Sequence, residues 1–289
     1  MSFTIITDSS ANLTTSLINK KNVKIVSLTY IVGDKEYLSY IPKKETDYKN
    51  FYDLLRAKEH VKTSLVGYDR VEEAVKEEFE AGKDVLYISF ASSLSGSCSI
   101  AERCISDLKE QYPDRKAVLV DSLCASMGQG LYVCKASDKR AEGASLEETA
   151  SYLEDIKMNM VHLFTVDDLF YLKRGGRLSG ATAVVGTILG IKPLLHMDDE
   201  GKLVSYGKTR GRKNAIDELI NRMDDVGTDL SSQEVFVAHA DCYEDAEYAS
   251  KQIKSRFNVK SVTINYIDQV IGSHAGPGTL AIFFMGKER

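Results

Sequence analysis

One pattern constrains this chain more than any other: a short apolar, β-branched run that ends abruptly on Asp-Ser or on a serine-rich turn. Residues 3–7 (FTIIT) run into Asp8-Ser9-Ser10, the signature of a strand followed by a helix cap. Residues 85–89 (VLYIS) run into FASSLSGS and a helical stretch to about residue 108. Residues 117–120 (AVLV) run into Asp121-Ser122 and a helical stretch to about residue 140. Strands that alternate with helices imply a parallel sheet covered by helices on its faces. Ligands collect at the carboxyl ends of such strands, where the polar clusters of this chain sit.

The intervening and following segments complete an α/β chain of two parts. Residues 24–40 (KIVSLTYIVGDKEYLSY) read as a strand leading into a hairpin over Gly33-Asp34, and ETDYKNFYDLLRAK reads as a helix. A helical segment over 141–158 closes the first half. The second half opens with the strand VHLFTV, then DDLFYLKRGG, a helix ending on paired glycines. A hairpin turning at Asp199-Glu200-Gly201 makes its sheet mixed. RKNAIDELINRM and EDAEYASKQIKSRF are helical by apolar spacing, while EVFVAHA, SVTINYI and GTLAIFFM are strands. The expectation is an N-terminal three-layer α/β/α domain with a mainly parallel sheet over 1–158 and a C-terminal α/β domain with a mixed sheet over 159–289.

At 289 residues the chain can bury a sizeable core. With 43% hydrophobic and 27% charged residues and a formal net charge of -5, it suits a soluble globular protein and not a nucleic-acid binder. The start MSFTIITDSS lacks the basic opening and long apolar stretch of a secretory signal, and no apolar run approaches the ~20 residues that span a bilayer. A cytoplasmic location without stable membrane insertion is expected. The five cysteines (Cys98, Cys104, Cys124, Cys134, Cys242) are scattered and never form Cys-x-x-Cys, so free and mostly buried thiols are expected, without structural zinc.

Four constellations could carry chemistry. Ser92-Ser93-Leu94-Ser95-Gly96-Ser97 follows a strand and precedes a helix; its hydroxyls and free amides can hold an anion, though helix capping alone also favours serine. Thr63-Ser64 sits at a similar transition and gains meaning only if folding brings it beside Ser95. The stretch Gly272-Ser273-His274-Ala275-Gly276-Pro277-Gly278 packs three glycines and a proline around a histidine, which predicts a fixed loop path presenting His274 to a ligand. Basic clusters at 173–177 and 208–213, with Arg174, Arg177, Arg210 and Arg212, could grip a phosphate or an acidic partner; a solvated face is the alternative. His60, His162, His196 and His239 lack metal-ligand spacing and read as structural. No Gly-x-x-x-x-Gly-Lys-Ser/Thr loop and no Gly-x-Ser-x-Gly elbow is present. Gly186 to Gly190 reads as apolar helix with glycines for close packing.

In order along the chain, ITDSSANL, KTS at 62–64, SSLSGS at 92–97, DSLCASMGQG at 121–130, LKRGGRLSG at 172–180, ILGIKPLL at 188–195, KTRGRKNA at 208–215 and GSHAGPG at 272–278 resemble the DegV family of bacterial lipid-binding proteins. The resemblance implies a fatty acid between two α/β domains, its carboxylate held by Thr63, Ser95 and His274. Ser64, Ser92, Ser93, Gly96 and Ser273 would support that site. It also implies a carrier with no ATP site and no cofactor beyond the bound fatty acid, presenting the carboxylate to a separate ATP-dependent fatty acid kinase. Arg174, Arg177, Arg210 and Arg212 are then candidates to meet that kinase or the acyl-phosphate. Leu65-Val66 stand where the family usually has Gln-Pro, and Ser97-Cys98 where it usually has Thr-Tyr, so the hydroxyl pattern is kept while the pocket walls differ.

Burying an acyl tail gains on the order of 0.8 kcal/mol per methylene, or roughly 10 kcal/mol for sixteen carbons before the costs of association. The buried carboxylate must then be hydrogen-bonded or neutralised. Two other functions are compatible with the same residues: a stand-alone serine hydrolase using Ser95 and His274, and a phosphometabolite-binding protein using the serine loop and arginines.

Overall fold

The computed structural model describes residues 3–178 and 190–289. The first half runs β1 (Phe3–Asp8), α1 (Thr15–Lys21), β2 (Val23–Val26), β3 (Thr29–Val32), β4 (Lys35–Leu38), α2 (Tyr48–Arg56), β5 (Val61–Thr63), α3 (Tyr68–Glu80), β6 (Asp84–Ser89), α4 (Ser97–Gln111), β7 (Ala117–Asp121), α5 (Ser126–Ala141) and α6 (Leu146–Ile156). The second runs β8 (Met160–Thr165), α7 (Phe170–Arg174), β9 (Ile191–Met197), β10 (Leu203–Arg210), α8 (Arg212–Val226), β11 (Glu234–His239), α9 (Tyr243–Phe257), β12 (Ser261–Tyr266), α10 (Gln269–Ala275) and β13 (Leu280–Met285).

The strands of the three strand–turn–helix units, β1, β6 and β7, are joined by β2 in a four-stranded parallel sheet of order β2-β1-β6-β7. Its central strands are buried on both faces, and their side chains alternate between two cores. Ile6, Val85 and Tyr87 pack with Val71, Val75, Phe79, Ala101 and Ile105 of α3 and α4. Ile5, Leu86 and Ile88 pack with residues of α1, α5 and α6 on the opposite face. The start of α6 is specified locally: the Ser145 hydroxyl accepts from the Glu148 amide and the Glu148 carboxylate accepts from the Ser145 amide, a reciprocal cap worth about 1 kcal/mol.

The second sheet, ordered β10-β9-β8-β13-β11-β12, is antiparallel except for the parallel pair β11 and β12. The same alternation splits its strands. Val161, Leu163, Ile282 and Phe284 face α8 and α9, while Phe164, Ala281 and Phe283 face α5. Helix α5 therefore lies between the two sheets and is buried nearly all round, from Met127 through Cys134. A helix wrapped on every side needs no single apolar stripe, and this one has none.

A third sheet, β4-β3-β5, is formed when β5 pairs antiparallel with the hairpin turning at Gly33-Asp34. The stretch 272–278 is not the loop its composition suggests. Asp268 caps α10 by accepting from the Ile271 amide at 3.0 Å, so Gly272 to Ala275 form the last helical turn and the loop begins at Gly276. The apolar segment 186–189 lies outside the described residues. All five cysteines are free; four are buried and Cys242 is half-buried. Among the described residues, no helix is long and apolar enough to cross a membrane.

Candidate functional site

A cavity of about 330 Å³ opens between the carboxyl ends of the parallel sheet and the inner face of the mixed sheet. Its walls are apolar, with Phe90 and Leu94 from the loop after β6, Phe164 from β8, Ile271 from α10, and Ala281 and Phe283 from β13. Its polar lining residues are Thr63, Ser64, Ser95, Arg177 and His274, together with Ser126, His162 and Thr279.

Thr63 and His274 are 211 positions apart, yet Thr63 Oγ1 and His274 Nε2 are within 2.8 Å. Thr63 is the last residue of β5, held opposite Tyr30 of β3. His274 stands in the last turn of α10, with Nδ1 turned toward Gly175. Burial, reinforced by the charges of Arg177 and Arg174, depresses the His274 pKa to about 4, so the imidazole is neutral at pH 7. It carries one N–H, and either partner of the Thr63 pair can be the donor.

Ser95 is arranged differently. Its hydroxyl accepts from the Ser97 amide at 3.2 Å and lies 2.9 Å from the Ser97 hydroxyl. The Ser97 hydroxyl accepts from the Val66 amide, and either hydroxyl of the Ser95–Ser97 pair can be the donor. When Ser97 donates, the Ser95 O–H is free for an acceptor in the cavity. Arg177 is anchored through Nε to the Leu94 carbonyl at 3.1 Å and through Nη1 to the Gly175 carbonyl, which fixes a positive charge on the same wall.

Other residues singled out by sequence go elsewhere. Ser92 is exposed, its amide donating to Asp121, and Ser93 donates at 2.6 Å to the Gly201 carbonyl, joining the two halves of the molecule. Gly96 precedes α4 and packs beside Leu65. The Ser273 hydroxyl is buried and donates to the Gln269 carbonyl within α10, so it satisfies its own helix and leaves the cavity to His274. Arg174 lies over the rings of Phe170 and Tyr171. Arg210 ends β10 and is exposed, whereas Arg212 pairs through Nε with Asp245 at 2.8 Å, and its buried Nη1, 3.6 Å from Asp167, has no hydrogen-bond partner among the described residues. His162, read from sequence as structural, accepts from the Ala125 amide while its ring forms part of the cavity wall.

The Ser95–His274 pair that a serine hydrolase would use is not formed: His274 is bonded to Thr63, and Ser95 is bonded to Ser97. Chemically, the arrangement is an oily slot with two hydroxyls, a neutral imidazole and a guanidinium along one wall. That combination suits an amphiphile with an anionic head.

Known proteins are similar to this chain in sequence and fold. The DegV family model matches residues 2–287. A DegV domain-containing protein of Clostridium perfringens is 39% identical over 287 residues, covering 99% of this chain and 98% of its own. The structure of DegV from Bacillus subtilis, described as a fatty acid binding protein, superposes with a TM-score of 0.85 at 29% identity, covering 99% of this chain and 100% of its own. That of a DegV family protein from Thermus thermophilus, described by its fatty acid binding, gives a TM-score of 0.87 at 27% identity with the same coverage. Motifs, sheet order and these likenesses agree, and the chain belongs to the DegV family.

Proposed function

We propose that this protein binds a long-chain fatty acid in the cavity between its two sheets, tail against Phe164, Ala281 and Phe283, head at Thr63, Ser95 and His274. The observation that carries the reading is the coincidence of an apolar cavity of about 330 Å³ with the 2.8 Å Thr63–His274 pair in its wall. Relatives described as fatty acid binding support it. The volume falls in the ~300–1,000 Å³ range of ligand cavities. The hydroxyls of Thr63 and Ser95 donate to the carboxylate, and Arg177 offsets its charge.

On this reading the protein is a carrier. A carboxylate held by donors and left open on one side is a nucleophile that a separate ATP-dependent kinase can phosphorylate, giving an acyl-phosphate and ADP. Arg174 and Arg210, placed outside the cavity, are the charges offered to that partner or to the phosphate. The division between the two halves falls near residue 158, between α6 and β8.

Native mass spectrometry of the purified protein is expected to show one added fatty acid mass. Protein that arrives empty and takes up neither oleate nor palmitate sinks the lipid reading. With a kinase subunit and ATP, acyl-phosphate trapped as a hydroxamate is expected; none, with lipid bound, sinks only the carrier role.

A further inference from the structure

Beside the start of α10, lined by residues that do not line the acyl cavity, lies a small pocket of about 20 Å³, room for one water-sized particle. Asp8, Asn12, Ser39, Tyr40, Tyr48 and Asp268 are among the residues lining it, and no Lys, Arg or His is. Both carboxylates are almost wholly buried, at 1% and 2% exposure. Asp8 is well supplied with donors: Oδ1 accepts from the Ser10 amide and hydroxyl, and Oδ2 from the Phe90 amide. Asp268 is not. Its Oδ1 caps α10, and its buried Oδ2 has no hydrogen-bond partner among the described residues.

Two buried carboxylates in one chamber without a cationic side chain call for a positive charge or a proton. The polar side chains lining it offer oxygen: two carboxylates and the hydroxyls of Ser9, Ser39, Tyr40 and Tyr48, with the one amide, Asn12, giving its nitrogen to the Ser9 carbonyl. Oxygen-only sites select hard cations. We propose that this chamber binds one dehydrated hard cation, Na⁺, K⁺ or Ca²⁺, with Asp268 Oδ2 as its principal ligand. Mg²⁺ is excluded because it keeps several of its waters, for which there is no room.

The chamber touches the acyl cavity through shared parts. Asp268 caps the helix that carries His274. Asn12 Oδ1 accepts from the Asp268 amide at 3.3 Å and from the hydroxyl of Ser126, a residue of the cavity wall, at 2.8 Å. Cation occupancy therefore bears on α10 whether or not a lipid is present.

The test is thermal unfolding of chelator-treated protein at constant ionic strength, replacing choline chloride in turn by NaCl, KCl, CaCl₂ and MgCl₂. It is run on lipid-loaded and delipidated protein, so that it reports on the chamber independently of the lipid reading. A saturable rise in Tm of several degrees is expected with at least one of Na⁺, K⁺ and Ca²⁺, and none with Mg²⁺. Asp268→Asn keeps the helix cap but removes the charge, and is expected to abolish the rise. Should that variant fail to fold, Tyr48→Phe is expected to raise the half-saturating salt concentration severalfold. Equal Tm values in all salts mean that the chamber holds only water and overturn the proposal. So does a response to Mg²⁺ alone, or one that survives unchanged in Asp268→Asn or, failing that, in Tyr48→Phe.

Discussion

Gly175 is the position where a single methyl group should separate head-group recognition from tail burial. It has ordinary helical dihedrals, φ -73° and ψ -10°, so alanine fits the backbone there. Its missing side chain is what makes room for His274: an added Cβ lies 3.2 Å from the imidazole Cγ, closer still to Nδ1, and 3.3 Å from the Tyr171 carbonyl. The ring must move, and the 2.8 Å contact of Nε2 with Thr63 moves with it. Hydrogen bonds to a charged group contribute about 1.5–3 kcal/mol, so loss of the aligned pair should weaken oleate binding roughly 10- to 150-fold. Gly176→Ala is the control. It sits at φ +70° with nothing within 4 Å of its added Cβ, so it should cost stability through backbone strain but leave affinity alone. Isothermal titration of delipidated protein with oleate measures the effect, and urea unfolding measures the fold. A folded Gly175→Ala protein that binds oleate within twofold of the parent refutes the placement of His274 at the head group.

Thr63→Val keeps the side-chain shape but removes a donor, and should weaken oleate by the same roughly 10- to 150-fold while leaving methyl oleate unchanged; equal losses for both ligands would place Thr63 along the tail. Ala281→Phe fills the inner wall and should disfavour palmitate by about 0.8 kcal/mol per displaced methylene, with octanoate little affected, as read by competition titration. Stripping the lipid should lower the urea midpoint substantially, and an empty protein as stable as the loaded one would count against a void of this size. Burial depresses His162 to a pKa of about 3 and His239 and His274 to about 4, so between pH 6.5 and 4 the unfolded chain binds more protons at these sites than the folded one. Stability should therefore fall as the pH drops through that window, by up to about 1.4 kcal/mol per pH unit for each such histidine, with the raised carboxyls of Asp8 and Asp268 acting in the opposite sense; urea midpoints that stay level or rise toward pH 4.5 would contradict the sign.

The parallel sheet was legible because each unit states its own structure: an apolar run, a polar stop and a helix. The hydroxyls at the strand ends were legible for the same reason. Sheet β4-β3-β5 was half visible, since the hairpin announces itself at Gly33-Asp34 but the three residues of β5 are too few to show a period. The helical nature of 272–275 was hidden by its glycines, and the cap that starts α10 is a lone aspartate with no marked run after it. Ser95 and Ser273 look alike in sequence. Only the fold shows that one lines the cavity and the other spends its proton on the Gln269 carbonyl. Arg210 and Arg212 differ likewise, through the presence of Asp245 beside the second.

The apolar wall was invisible for a deeper reason. Phe164, Ala281 and Phe283 alternate along their strands with the period of any core residue, so pattern alone cannot tell a side chain that touches its neighbour from one that faces a gap. Energy can. A sealed apolar void costs about 24 cal/mol per Å³, so about 330 Å³ closed off and dry would cost about 8 kcal/mol, comparable with the whole ~5–15 kcal/mol stability of a protein; this space escapes that cost only as far as it opens to solvent or takes an occupant. Water could relieve that cost only where polar groups receive it, and those groups cluster around Thr63, Ser95, Arg177 and His274. A space of this kind, apolar over most of its wall, therefore gains more from an apolar occupant than from water, which is the physical ground of the proposed lipid reading.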